Sequence, residues 1–248
     1  EIDAGMQGQT VGVVQLHVTG SQCAFGLLAG MAAGAQARTP RNPGGGDFPS
    51  DAEIRRILAD RVDAIAAPED GVGIVVGVVS PRGRKIIAYG RRDGQLFGGD
   101  TVFEIASVTK AFTALLLADM VGKGEVALAD PVAKYLPPGV RLPVRNGRSI
   151  ALVDLATHTA GLPFMPTDSQ TSADLYRYLA SYSLPRDIGT EWDYSNLGYW
   201  LLSEALATRA GVSYESLLRA RILEPLKLAS TDFVLSPAMK AHLAVGHD

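Results

Sequence analysis

Residues 72–80, Val-Gly-Ile-Val-Val-Gly-Val-Val-Ser, form a run that is apolar on both faces of the strand it predicts. Side chains alternate between the two faces of a strand, so a strand with one wet face alternates polar with apolar, and one without that alternation has to be covered on both sides. Pro81-Arg-Gly-Arg84 separates the run from a second strand candidate at 85–89, which is a hairpin signal. The first strand is therefore expected in the middle of a covered sheet. A two-stranded hairpin is marginal in water, so further strands and a packing helix are needed. One helix candidate lies just upstream, capped by Asp51 and running over 52–66, where Ile54, Ile57, Leu58, Val62 and Ile65 recur at helical spacing. From 154 to 226 the pattern changes to helices and loops punctuated by Gly and Pro, with helix candidates at 174–181, 197–210 and 214–222. The fold class this implies is α/β of the α+β type: an antiparallel sheet flanked by helices, plus a mainly helical lobe at about 125–230.

Between hairpin and lobe stands Ser107-Val-Thr-Lys110, where the compact apolar stretch 101–106 gives way to 111–121, a run of good helix formers closed by Gly122. Ser107 is expected in the first turn of that helix, where unpaired N–H groups and the helix dipole favour the negative charge of an attacking oxygen. Residues three apart share a helix face, which sets Lys110 beside the hydroxyl. A serine hydroxyl is a poor nucleophile unless a neighbour takes its proton. Lysine does this only when neutral, and its ordinary pKa of about 10.4 requires a site that desolvates it or sets other polar groups around it. Alone, a Ser-x-x-Lys pattern is equally the solvated start of a surface helix.

A second constellation, Tyr194-Ser-Asn196, opens the helix candidate at 197–210. Tyrosine relays protons when cations stabilise its phenolate, and an amide two residues on can orient both a lysine and a substrate carbonyl. The bland alternative is a packed tyrosine behind an asparagine that caps the helix. Each pattern occurs once in the chain.

Four blocks in order carry a family resemblance: Phe103-Glu-Ile-Ala-Ser-Val-Thr-Lys-Ala-Phe-Thr113, Gly124-Glu-Val-Ala-Leu-Ala-Asp-Pro-Val-Ala-Lys-Tyr-Leu-Pro137, His158-Thr-Ala-Gly-Leu-Pro163 and Tyr194-Ser-Asn-Leu-Gly-Tyr199. They resemble the serine β-lactamase-like and penicillin-binding-protein superfamily, in the branch of class C β-lactamases, DD-peptidases of the AmpH type and family VIII esterases. The resemblance implies Ser107 as the acylated nucleophile, Lys110 as its proton acceptor, Tyr194 as general acid/base and Asn196 as a substrate-orienting amide. It implies hydrolysis of D-Ala-D-Ala peptides, β-lactams or small esters through an acyl-enzyme, outside the cytoplasm. The family's third motif, Lys-Thr-Gly or a His- or Trp-containing variant ending in Gly, does not occur. A C-terminally truncated, inactive fragment is accordingly expected, its continuation carrying several short strands and that triplet. A non-catalytic peptidoglycan-binding or structural homologue is the alternative.

The remaining sequence narrows the choice of chemistry. A net charge of −3 gives no reason to expect nucleic acid as a partner. The single cysteine, Cys23, excludes an internal disulfide framework, and His17, His158, His242 and His247 fall into no ligand spacing, so neither metal nor other cofactor is expected. No Gly-x-Ser-x-Gly elbow, P-loop or complete dinucleotide fingerprint is present. His158 is expected to fix a loop by hydrogen bonds, Tyr199 and Trp200 to pack into the core, and Glu104 to lie on the surface. Residues 1–37 are read as a signal or flexible arm: 23–37 has an apolar stretch with an Ala-x-Ala ending, too short and Gly-rich to span a membrane. Residues 38–50 are a linker, and 51–248 are the partial hydrolase domain.

Overall fold

The computed structural model describes residues 50–62, 72–80, 83–92, 94–166 and 171–244. The arm, most of the linker, Cys23 and His247 lie outside them, as does the end of the first helix candidate. The described residues form two compact units, one spanning Ile105–Met239 and the other combining those of 50–104 with 240–244.

The second unit holds a helix, α1 (Asp51–Val62), and three antiparallel strands, β1 (Gly73–Ser80), β2 (Gly83–Arg92) and β3 (Gln95–Leu96), in the order β1-β2-β3. The hairpin is present in the register Val76↔Ile87 and Val78↔Lys85. Its small core is Val76, Val78, Ile87 and Leu58 of α1, with Ile54, Ile74 and Tyr89 against it. Two expectations change. Among the described residues β1 is an edge strand and β2 the central one, because β1 pairs with β2 alone. Ile74, Val76 and Val78 face the core, while Gly77 is exposed and Val75 half-buried. The cap of α1 is Ser50, whose hydroxyl accepts the Glu53 N–H at 3.2 Å; Asp51 instead takes Lys85 at 2.8 Å. At the other end of the unit, Leu243 bridges Val102 in parallel: the Val102 N–H donates to the His242 carbonyl at 2.9 Å and the Ala244 N–H to Val102 at 2.8 Å.

The first unit is helical. Its elements are α2 (Thr109–Gly122), a small hairpin of β4 (Val144–Arg145) and β5 (Arg148–Ser149), α3 (Leu152–Ala156), α4 (Ser172–Ser181), α5 (Asn196–Ala210) and α6 (Tyr214–Leu218); α7 (Pro237–Ala241) follows. The apolar residues of α2 and α5 fall at helical spacing, Leu116, Leu117 and Met120 on one and Leu197, Leu201, Leu202, Ala205 and Leu206 on the other, and all are buried in one continuous core. Both of these helices stop for a stated reason. At the end of α2 it is Gly124, not Gly122, that adopts the left-handed conformation (φ 70°), letting the Glu125 N–H reach the Met120 carbonyl and the Gly124 N–H the Val121 carbonyl. Gly211 (φ 72°) does the same for α5.

The helix expected at 214–222 is α6 followed by a wider π turn, Arg219–Leu223, with the Glu224 N–H bonded to the Arg219 carbonyl at 2.9 Å. The wider turn keeps Ile222 and Leu223 buried while Arg219 and Arg221 serve different acids: Arg219 takes Glu215 and Asp232, and Arg221 takes Asp119 and Glu125. Among the described residues no helix is long and apolar enough to cross a membrane.

Candidate active site

Two helix entrances converge within the helical unit. At the first, Ala106 adopts a left-handed backbone (φ 41°), a conformation a residue with a Cβ enters at a cost of about 1–2 kcal/mol. The chain then makes one 3-10 turn, Ala106–Val108, before α2 begins at Thr109. Ser107 thus sits just ahead of the helix rather than in its first turn, and is exposed. Lys110, one residue inside α2, reaches back to it.

At the second entrance Ser195, not Asn196, is the cap: its hydroxyl accepts the Gly198 N–H at 2.9 Å and donates to the Pro163 carbonyl at 2.6 Å. The Asn196 side chain is thereby free of capping duty, and its Oδ1 accepts from Lys110 Nζ at 2.7 Å. Lys110 also donates to Ser107 Oγ at 3.2 Å, and the Ser107 and Tyr194 hydroxyls share a hydrogen bond of 2.5 Å. All four residues singled out by sequence therefore meet at one point, two from the start of α2 and two from the start of α5.

The electrostatics follow from this packing. Burial pushes the Tyr194 phenol up, but hydrogen bonds from Lys110 and Ser107, together with the lysine charge 4.9 Å from the ring centre, outweigh it and hold the phenol below its ordinary 10.0.

His158 occupies the other side of Tyr194. It fixes a loop as expected, its Nδ1 accepting the Ser195 N–H at 3.0 Å, and its ring lies 4.7 Å from that of Tyr194 and 4.9 Å from that of Tyr199. Tyr199 and Trp200 pack against the core, and Glu104 is exposed.

Two residues beside the site were not singled out from sequence. Phe164 and Trp192 are 61% and 68% exposed, yet their rings lie 6.0 and 6.4 Å from that of Tyr194, so two apolar surfaces stand open beside this tyrosine. Single exposed aromatics are common on surfaces, so only their position marks them. Among the described residues no three or more His, Cys, Asp or Glu side chains gather into a metal site.

The loop bearing Trp192 and Tyr194 is anchored beneath. Asp154, 3% exposed, accepts the Ala151 N–H at 2.8 Å and Arg148 Nη2 at 2.8 Å, and Arg148 Nη1 donates to the Ile188 carbonyl. The Gly189 N–H then reaches the Thr159 carbonyl at 2.8 Å.

The chain belongs to the β-lactamase family, whose model matches residues 56–248. The D-alanyl-D-alanine-carboxypeptidase/endopeptidase AmpH of Escherichia coli K12 is 35% identical over 213 residues, 78% of this chain and 54% of that protein. A β-lactamase of the same organism is 35% identical over 149 residues, 59% of this chain and 39% of that one. Among solved structures, a β-lactamase/D-alanine carboxypeptidase from Yersinia pestis complexed with citrate superposes with a TM-score of 0.67 at 28% identity, covering 79% of this chain and 60% of that chain. The chain spans about half the length of the curated relatives it matches.

Proposed function

We propose that this chain carries the acylation centre of an exported serine hydrolase acting on β-lactams, D-Ala-D-Ala peptides or small esters. The observation that carries the reading is the shared hydroxyl: Ser107 Oγ lies 2.5 Å from the Tyr194 hydroxyl and 3.2 Å from Lys110 Nζ, with Lys110 held in turn by Asn196. The names of the relatives, a carboxypeptidase/endopeptidase and a β-lactamase, support the substrate classes. The composition of 23–37 supports export.

The Ser107 hydroxyl attacks the substrate carbonyl and loses its proton, for which the shorter path runs to the Tyr194 oxygen. Lys110 supplies the positive charge that favours the phenolate, and Asn196 fixes the lysine. The Ser107 N–H helps hold the carbonyl oxygen as it becomes negative. Tyr194 then returns the proton to the departing amine or alkoxide as the carbon–heteroatom bond breaks, leaving an ester on Ser107. Water, deprotonated by the same tyrosine, attacks that ester and restores the free hydroxyl.

The test is the intact mass of the full-length protein after treatment with a fluorescent penicillin or an activated phosphonate. One adduct is expected on the wild type and none on Ser107→Ala. Labelling that survives this substitution sinks the assignment, and an unlabelled wild type moves the protein to the binding-homologue reading. Lys110→Ala and Tyr194→Phe are each expected to slow acylation by roughly 10²–10⁴-fold. Because the Tyr194 phenol is held below 10.0, the acylation rate should rise with pH and level off before that value; a rise continuing past it would exclude Tyr194 as the acceptor.

A further inference from the structure

Resting on the reading above, we propose that His158 is a positioning residue for Tyr194, its neutral imidazole gripping residues 193–195 so that the Tyr194 hydroxyl meets Ser107. Three successive residues are held by this one. The Asp193 N–H donates to the His158 carbonyl at 2.8 Å, the Tyr194 ring lies tilted 31° over the imidazole at 4.7 Å, and the Ser195 N–H donates to Nδ1 at 3.0 Å. The next residue is Asn196, which holds Lys110. The backbone and ring of His158 thus fix the segment that delivers both Tyr194 and Asn196.

The residue is itself held by its backbone and by neighbouring rings. Its backbone is left-handed (φ 58°), an arrangement uncommon for a residue with a Cβ, and its N–H donates to the Leu155 carbonyl at 3.2 Å. Tyr199 of α5 packs its ring 4.9 Å from the imidazole and ties its own hydroxyl to the Ala156 carbonyl at 2.9 Å; the Trp192 indole meets the ring edge-on at 6.0 Å. Only a nitrogen without a proton accepts a hydrogen bond, so this geometry requires a neutral ring protonated at Nε2.

The titratable and charged groups around the ring are Lys110 from α2, Tyr199 from α5, and Tyr194 and Asp193 on the gripped segment, the last paired with Arg186 at 2.6 Å. Burial first, and the Lys110 charge second, push the His158 pKa below its ordinary 6.5, which keeps Nδ1 an acceptor at neutral pH. Protonation at lower pH removes the acceptor from Ser195 and adds a cation near Lys110. The grip on Tyr194 then loosens.

Acylation of Ser107 in the full-length protein, followed from about pH 5 to about pH 9, tests this with His158→Asn and His158→Phe. Asparagine tolerates the left-handed backbone and keeps an acceptor for Ser195 but cannot be protonated; phenylalanine keeps a ring without an acceptor. Below pH 6.5 the wild type should fall faster than the Tyr194 titration alone makes it, an added acid limb that His158→Asn lacks while remaining within about tenfold of the wild type above it. His158→Phe should lose roughly 10²-fold at every pH, the loss expected when a reacting group is displaced by about an ångström. A second readout needs no turnover: tyrosinate absorbance, referenced to Tyr194→Phe, should show the Tyr194 titration moving up toward 10.0 in His158→Phe and staying low in His158→Asn. A wild type labelled at Ser107 without the added acid limb, an asparagine variant that keeps that limb, or a phenylalanine variant with unchanged rate and unchanged Tyr194 titration each overturns the proposal. If the wild type is not labelled at Ser107, the hydrolase reading fails separately. The Tyr194 titration then decides the positioning role, which is refuted if it moves in neither variant.

Discussion

The helical unit and the sheet unit bury their apolar residues on different scales. Among the described residues, 24 buried residues running from Leu116 to Ile222 form one core in the first, whereas in the second the buried cluster is four residues, Leu58, Val76, Val78 and Ile87. Every residue of the candidate site belongs to the first. Ser107 and Lys110 stand at the start of α2, Tyr194 and Asn196 at the start of α5, and these helices meet through their buried faces. The geometry at the Ser107 hydroxyl is therefore set by core packing. The hairpin, with few buried apolar residues among those described, belongs to the part of the molecule expected to open at lower free energy.

The harshest way to break this contrast is to place equivalent cavities in the two cores. Leu201 on α5 is fully buried, and Leu201→Ala should cost about 2–5 kcal/mol, read by denaturant unfolding, and should reduce Ser107 labelling because the α5 entrance shifts with the helix. Ile87 on β2 is 1% exposed, and Ile87→Ala opens a cavity in the cluster it forms with Leu58, Val76 and Val78. Its effect should be local: faster amide exchange in β1 and β2, with α5 amides still protected and labelling retained. Loss of α5 protection in Ile87→Ala would show that the two cores unfold as one and that the contrast is only one of size.

Much of the site was legible because its chemistry lies in short patterns. Ser107 with Lys110, and Tyr194 with Asn196, are each close enough in sequence for one helix start to hold them together. The local roles around them were not legible. Ser195 and Asn196 are both good caps, and which one caps is decided by Lys110, 86 residues away, drawing the Asn196 oxygen. The turn at Ala106 carries no glycine to announce it. Periodicity located the helix after Ser213 but not its π turn, which the partners Asp119, Glu125 and Asp232 of the two arginines impose from elsewhere. The alternation rule put β1 in the centre of the sheet; among the described residues it lies at the edge, because the rule reports cover on the faces and not the number of hydrogen-bonded neighbours.

A gentler perturbation uses pH on the helical unit. Hydrogen bonds from Tyr135 first, then from the Ala127 N–H and Lys134, hold the Asp130 carboxyl down at about 2. A carboxylate held below its unfolded value contributes stability that is full above pH 3.8 and is lost as pH falls toward 2. Burial and the neighbouring Asp130 push the Tyr135 phenol up, so its contribution is full below pH 10.0 and is lost above it. Tyr135→Phe should flatten both limbs of the stability profile of this unit. A profile unchanged in this variant would mean that other carboxylates and phenols govern it.

The smallest effects compare one ion pair from each unit. Arg221 and Asp119 join the π turn to α2 at 2.7 Å with both side chains 24% exposed, and Arg221 also holds Glu125, so one guanidinium ties the π turn to α2 and to the loop that follows it. Lys85 and Asp51 join β2 to α1 at 2.8 Å with side chains 58% and 56% exposed. An exposed pair gains little in high dielectric and gives up side-chain freedom, while a planar guanidinium shared between two half-buried carboxylates is held by geometry and screened less. Arg221→Gln should therefore destabilise by about 1 kcal/mol, less in high salt, and Lys85→Gln should leave the unfolding midpoint unchanged within error. Equal losses in the two variants would mean that the sheet unit depends on its surface charges to a degree the exposure of this pair does not suggest.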